Sequence, residues 1–498
     1  MDAPSDRPVW LDGEAAAHYP PLQQDLEVDV AVIGAGITGL TAALLLQRDG
    51  RSTAVLERNE VARGATAHTS GHLTAVLDAP FHVLVSHFGM DGARDVLAGC
   101  MAAIDKVGEL AVECAGGAEF QRVPGFRYTE DAHDVDRLAK EADLAARLGL
   151  PASLVREPPL PFAVGPALRI EDQAVFQPLR YAAGLARAFV AAGGRIFEHA
   201  PVHDVEPGEP CKLSVDGVTV RARAVVEATH TPVNRVVSVQ ARLAPEMTYV
   251  VCARIAGVAP AALCWDTAEP YHYLRPLQPG GHHLVAGGFD HKTGQADDTS
   301  TRFRQLESWL RARFDVAAIE RRWSAEVFEP ADGLPYVGPL EGKPVYVAAG
   351  FAGTGLTLGT LAALIVRDEI EGRTHPLGEL LRANRVKPIA SAREVVKENA
   401  NNTWHMLRDR LARPEAASAA VIAPGEGRLM EVEGHRAAVY RDPEGRLHVL
   451  SPVCTHLGCI VHWNSAGSTW DCACHGGRYR PTGQVLYGPP TRDLDGAD

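Results

Sequence analysis

Four side chains late in the chain have the types and spacing of a metal site. Cys454 and His456 stand two positions apart, and Cys472 and His475 three apart. Each pair offers one thiolate and one imidazole from a short loop. Such a set could hold tetrahedral zinc. It could equally hold a two-iron cluster, with thiolates on one iron and imidazoles on the other. Cys459 and Cys474 lie in the same two loops and exceed what one zinc needs, which favours the cluster. Cysteines crowded in this way read as a metal site before they read as a disulfide framework. The remaining five, Cys100, Cys114, Cys211, Cys252 and Cys264, are scattered as buried thiols of a cytosolic protein would be.

This stretch resembles the Rieske proteins of the respiratory and photosynthetic complexes. The likeness extends to Gly488, Pro489 and Pro490, which look like that family's proline loop. It implies a [2Fe–2S] cluster on Cys454, His456, Cys472 and His475, and a disulfide between Cys459 and Cys474. Neutral imidazoles remove negative charge and raise such a cluster to about −150 to +300 mV. Two positions depart from the family pattern: Ala473 replaces a proline and Gly477 a serine. The serine hydroxyl would donate to a bridging sulfide, and its loss should lower the potential. Tyr479 matches the family's second donor, so a mid-range potential is expected.

A second chemistry lies near the start. Gly34, Gly36 and Gly39 follow an apolar run and open a helical one, and the next apolar run ends at Glu57 and Arg58. Glycines there permit a tight turn and close approach of a pyrophosphate to a helix N-terminus. Glu57 would accept from ribose hydroxyls and disfavours a 2′-phosphate. A small-residue loop follows, with Gly64, Ala65, Thr66, His68, Ser70, Gly71, His72 and Leu73. Late in the chain come Asp332 to Gly338, then Gly350, Gly353, Gly355, Leu356 and Thr357. Together these resemble the D-amino-acid oxidase, glycine oxidase and sarcosine oxidase family over roughly residues 25–375. The resemblance implies FAD, with Val202 and Ala228 completing its contacts and the late glycines opening a helix at the flavin's pyrimidine edge. The loop around His68 is similar to one in dimethylglycine and sarcosine dehydrogenases, where the histidine is bonded to FAD. It makes His68 a candidate for covalent attachment, beside the plainer reading of packing against the cofactor.

The same resemblance implies oxidation of a C–N bond in an amine or amino acid. Weak candidates for the substrate side are Tyr249, Tyr271, His272, Tyr273 and Arg275, the last as a carboxylate clamp. Flavin plus Rieske tail is similar to a group of bacterial FAD-dependent oxidoreductases, and Trp463, Asn464, Trp470 and Asp471 fit that group. The leading expectation is a dehydrogenase passing electrons one at a time to a carrier protein or quinone. The alternatives are a reductase fed through the cluster, or a redox sensor or assembly protein with little turnover.

These residues need three kinds of scaffold. A strand at 28–33, a helix at 38–47 and a strand at 52–56 form a βαβ opening. Further helices are expected at 134–148 and near 185–190, a late strand at 218–228, and an antiparallel sheet over roughly 245–290. The fold class is an α/β, Rossmann-like FAD-binding domain with an antiparallel-sheet substrate domain, plus a small all-β Rieske domain. The expected FAD module is 1–385, with its nucleotide-binding part discontinuous over about 25–80, 180–240 and 325–375. A linker at 386–415 and a Rieske domain at 416–498 follow.

The chain has 498 residues, 46% of them apolar, enough for more than one core. Its 49 basic and 62 acidic residues give a charge of −13, which disfavours nucleic acid as a partner. Residues 1–25 lack a basic start and an apolar core, so no signal peptide and a cytoplasmic location are expected. The uncharged run 344–366 is broken by four glycines and reads as strand, turn and buried helix rather than a membrane span.

Overall fold

The computed structural model describes residues 5–12, 17–233, 237–296, 298–340, 342–385 and 418–497, with 396, 398–402, 404–406, 408, 409 and 415 between the last two. The expected linker at 386–415 lies mostly outside the described residues.

The opening βαβ unit forms as its pattern dictates. Leu26–Ile33 and Thr53–Leu56 pair in parallel, and the helix Ile37–Arg48 crosses between them. Residues 30–33 and 54–56 are continuous apolar runs because both faces of a parallel sheet are covered there. Gly50, at φ +90°, turns the chain after the helix. Val218–Glu227 adds on the other side of the first strand, also in parallel, and Val345–Ala349 beyond it. The nucleotide-side sheet is thus assembled from three distant stretches, with Arg195–Phe197 at one edge and Tyr336–Pro339 at the other. The uncharged run near 344–366 is the strand Val345–Ala349, a short 3-10 turn and the buried helix Gly355–Ile370. Among the described residues no helix is long and apolar enough to cross a membrane.

The antiparallel sheet is larger than the sequence indicates. Its order is Val316–Pro330, Leu243–Ile255, His283–Lys292, His272–Pro276, Leu263–Asp266, Gln121–Tyr128, Ala167–Val175 and His72–Leu73. Leu263–Asp266 and Gln121–Tyr128 pair in parallel, so the sheet is mixed. Leu243–Ile255 carries an irregularity between Met247 and Tyr249 where it meets His283–Lys292. The helix Ser300–Arg311 packs through Phe303, Leu306 and Leu310 into a core with Tyr249, Val251 and Leu274. The other face of the sheet meets the nucleotide side.

The C-terminal part is two small antiparallel sheets. One holds Gly427–Val432, His435–Arg441 and Leu447–Leu450; the other holds Val461–Asn464, Thr469–Cys472, Arg478–Tyr479 and Val485–Tyr487. Their shared core includes Trp463, Trp470 and Tyr479. This part packs on the rest of the same chain. Arg58 Nη2 reaches Pro490 O at 3.4 Å, and Thr299 Oγ1 donates to Asn464 Oδ1 at 2.8 Å.

Candidate functional site

A cavity of about 460 Å³ runs from the first βαβ turn to the antiparallel sheet. Gly34 stands at φ +98°, and a Cβ on it would meet Ala228 O at 2.5 Å, so only glycine lets these strand ends meet. At the nucleotide end the cavity is lined by Gly34, Gly36, Glu57, Arg58, Val202 and Ala228. The helix Ile37–Arg48 begins there without a side-chain cap on its Gly36. Ile37 N donates to Thr66 Oγ1 at 3.1 Å, and the positive end of the helix dipole points at the cavity, as an anionic pyrophosphate requires. Glu57 accepts from Ala35 N at 2.8 Å and from Asn59 N at 2.9 Å, which orients its carboxylate at the strand end. Burial pushes this carboxyl up from its usual range. The donor set and the open helix end fit a dinucleotide.

Gly64, Ala65, Thr66, His68, Ser70 and His72 line the middle of the cavity, and Gly353, Gly355 and Leu356 line it from the late glycine segment. His68 Nδ1 lies 3.0 Å from Gly64 O and 3.1 Å from Tyr487 Oη. Other residues of the expected set stand off the cavity and serve packing. Gly39 lets the first helix close on Gly34, and Gly350 lets the turn pass Leu243. A Cβ on Gly71 would collide with Arg275 and Trp10. Leu73 is wholly buried in the core, and Thr357 Oγ1 donates to Thr74 O at 2.8 Å.

On the substrate side the structure corrects three expectations. Arg275 is fully buried and its guanidinium is spent on carbonyls: Pro276 O at 2.8 Å, Leu277 O at 3.0 Å, and those of Gly71 and Phe176. It holds the chain together there, wholly buried and off the cavity wall. Tyr249 points to the opposite face of the sheet, because neighbours on a strand alternate. Its hydroxyl meets His291 Nε2 at 2.8 Å and its ring packs on Phe303. His272 faces that side too, bonded to Asp266 Oδ2 at 2.7 Å and stacked on Trp309. Tyr271 and Tyr273 do line the cavity. Thr248 and Tyr273 share a hydrogen bond of 2.9 Å.

Sequence reasoning missed Asp78, Arg127, Asp290 and Glu329, all of which line the sheet end. Arg127 lies on Gln121–Tyr128, a strand the sequence reading leaves unassigned. A lone charge in that strand's apolar second half was the available signal.

The second site is on the C-terminal part. Each loop is closed by its own backbone: Cys454 N donates to Cys459 O, and Cys472 N to Gly477 O, both at 2.8 Å. Cys459 and Cys474 form a disulfide that ties the loops together. The Cys472 sulfur lies close to both, but their bond leaves it the free thiol of that trio. Cys454 is the other buried free thiol of these loops, its thiolate favoured by a hydrogen bond from Cys472. The His456 and His475 rings stand edge to face, 5.1 Å apart. His475 Nδ1 is shielded from solvent with no hydrogen-bond partner, the kind of orphaned nitrogen that a metal satisfies. Two thiols and two imidazoles converging from tied loops fit a cluster with mixed ligands. Tyr479 Oη lies 3.2 Å from Cys454 Sγ. At Gly477 a Cβ would come within 2.8 Å of Pro490 Cγ, so proline occupies the room that a serine would need.

The two sites adjoin within one chain. Leu486, Tyr487 and Gly488 form part of the cavity wall. Gly476, next to His475, sits so close to the sheet that a Cβ would meet Glu326 and Pro245 at 2.7 Å and Phe328 at 3.0 Å. His456 Nε2 lies 3.1 Å from Gln240 Oε1. His230 bridges the gap, with Nε2 2.9 Å from Glu326 O and its ring 4.8 Å from that of Phe328. Burial lowers the His230 imidazole to about 4, so it is neutral near pH 7.

A dinucleotide cavity beside a cysteine–histidine cluster site defines a two-cofactor redox protein. The chain belongs to the FAD dependent oxidoreductase family, whose profile matches residues 29–369. A Rieske [2Fe-2S] domain matches residues 414–496. The Bacillus subtilis (strain 168) protein YhfW, whose name places it with Rieske 2Fe-2S iron-sulfur proteins, is 31% identical over 98% of this chain and 97% of its own. Gamma-glutamylputrescine oxidoreductase of Escherichia coli (strain K12) is 23% identical over 72% of this chain and 86% of its own. The crystal structure of glycine oxidase from Geobacillus kaustophilus superposes with a TM-score of 0.61 at 21% identity, covering 72% of this chain and all of that one. The protein is thus an FAD oxidoreductase with a Rieske domain, and its cofactors are FAD and a [2Fe–2S] cluster.

Proposed function

We propose that the protein oxidises the C–N bond of an amine or amino acid by hydride transfer to flavin, electrons leaving one at a time through the cluster to a carrier protein or quinone. One observation carries this reading. The strand Val316–Pro330 presents Ala325, Glu326, Val327 and Glu329 to the cavity, and Glu326 and Phe328 also meet the cluster loop at Gly476. A single strand therefore separates the two sites. The likeness to gamma-glutamylputrescine oxidoreductase supports an amine as the group oxidised.

In this reading Gly34, Gly36, Glu57 and Arg58 hold the dinucleotide, and the amides opening the helix Gly355–Ile370 face the flavin's electron-rich edge. Cys454, His456, Cys472 and His475 hold the cluster. Tyr271, Tyr273 and Thr248 wall the substrate. Arg127, whose Nε is shielded and unpartnered, would meet a carboxylate. If His68 is bonded to FAD, the bond runs through Nε2, since Nδ1 is engaged by Gly64 and Tyr487.

The deciding experiment is anaerobic mixing of the holoprotein with a panel of amines and amino acids, followed by flavin absorbance and by electron paramagnetic resonance. Flavin bleaching followed by cluster reduction is the expected course. A flavin that no amine reduces, yet an external donor reduces through the cluster, would reverse the direction proposed.

A further inference from the structure

The sheet end of the cavity carries more acid than oxidation of a simple amine requires. Asp78, Asp290 and Glu329 line it, and Glu269 stands exposed at its mouth. Glu246 lies behind them, opposite Val327 on the neighbouring strand. Asp78 accepts from Gly353 N at 2.6 Å and from Tyr271 Oη at 3.3 Å. Asp290 faces Thr248, and its Oδ1 is shielded from solvent with no hydrogen-bond partner. Among the described residues no lysine, arginine or histidine forms an ion pair with Asp78, Glu269, Asp290 or Glu329. The nearby cations are otherwise placed. Lys292 pairs with Glu398, and Arg137 at the rim pairs with Asp134 at 2.7 Å. Arg127 lines the same space and its charge favours ionised Asp78, though no ion pair joins the two.

Like charges enclosed together do not all ionise unless a cation joins them. Burial first, and then mutual repulsion, push Asp290 up to about 7 and Glu329 well above the carboxylate range. Protons held on Asp290 and Glu329 relieve the repulsion, and a positive group among the oxygens would do so in their place. The cavity leaves room for that group to come from a ligand.

We infer that the substrate carries a second ammonium group, not itself oxidised, which seats among Asp78, Asp290 and Glu329. This rests on the reading of the cavity as the site of amine oxidation and names the class of amine. The oxidised nitrogen lies toward the flavin, and the second nitrogen toward the sheet.

The test compares 1,4-diaminobutane with 4-aminobutan-1-ol, which has the same length and one charge fewer. Both are titrated anaerobically into the holoprotein and followed by perturbation and bleaching of flavin absorbance. A buried charge pair at an interface is worth about 1.5 kcal/mol or more, so the diamine should half-saturate at a concentration at least about 10-fold lower. Asp290→Asn and Glu329→Gln, each checked for flavin content, should shrink that ratio. Equal concentrations for both ligands, binding of neither, or an unchanged ratio in both variants would overturn the inference. The two readings fail separately. A diamine that perturbs the flavin without bleaching it keeps the cation site and defeats amine oxidation. Bleaching by the amino alcohol with no preference for the diamine keeps amine oxidation and defeats the cation site.

Discussion

At the scale of residues, the cluster loops were legible because metal ligands leave a signature of type and spacing that tolerates little variation. The substrate wall was not, because a strand's sequence does not say which face a given side chain takes once the register slips. Thr248 faces the cavity and Tyr249 the core, with the irregularity between Met247 and Tyr249 just there. Arg275 misled for another reason: a buried guanidinium bound to carbonyls looks, in sequence, like one waiting for a carboxylate. The same scale yields a prediction about potential. Tyr479 Oη is 3.2 Å from Cys454 Sγ, and the room for a serine at Gly477 is taken by Pro490. Tyr479 is thus the side-chain hydroxyl that would donate to a cluster ligand here. Tyr479→Phe should lower the midpoint, since the reduced cluster is the more negative. One hydrogen bond of about 1 kcal/mol corresponds to roughly 40 mV for one electron. A potentiometric titration read by electron paramagnetic resonance checks both sign and size.

At the scale of elements, the βαβ opening and the strand–turn–helix of 345–370 followed from periodicity and glycine placement. The helix Phe81–Ala115, kinked at Gly89, and the strands Gln121–Tyr128 and Ala167–Val175 did not. Those strands are short on alternation because both their faces are covered: Phe126 and Ala167 pack into one core, Leu168 and Ile170 into another. The sheet end of the cavity they help to build has a measurable proton count. Asp290 keeps its proton up to about pH 7 in the folded state, while in the unfolded chain it would lose it near pH 4. Between those values the native state holds more protons, so this group's contribution to stability falls as pH rises and levels off above 7. Thermal unfolding of the holoprotein from pH 5 to 7 should decline less steeply in Asp290→Asn, by at most about 1.4 kcal/mol per pH unit. Parallel curves would remove Asp290 from this account.

At the scale of the whole molecule, the sequence showed two modules but not how they meet. Contacts between modules are carried by single side chains without motif: Tyr487 against His68, Gln240 against His456, Gly476 against Glu326 and Phe328. None of these pairs is close in sequence, and no periodicity announces them. Because the two sites share one chain, cluster reduction after flavin reduction should follow a rate that does not change on tenfold dilution of the protein. Tyr487→Ala should open the cavity wall beside His68 and speed loss of flavin on dilution, read as growth of free-flavin fluorescence. No change in that loss would mean the C-terminal wall does not retain the cofactor.

That wall also sets an order of manufacture. The segment around Tyr487 is made long after residue 356, and it closes a cavity whose other sides are complete by then. A nucleotide admitted before docking meets an open trench, and one arriving later meets a cavity walled on that side. Cluster insertion faces the converse constraint, for His456 and Gly476 lie against the flavin module once docked. One docking contact thus covers residues of both sites, so access to the flavin cavity and access to the cluster loops open and close together.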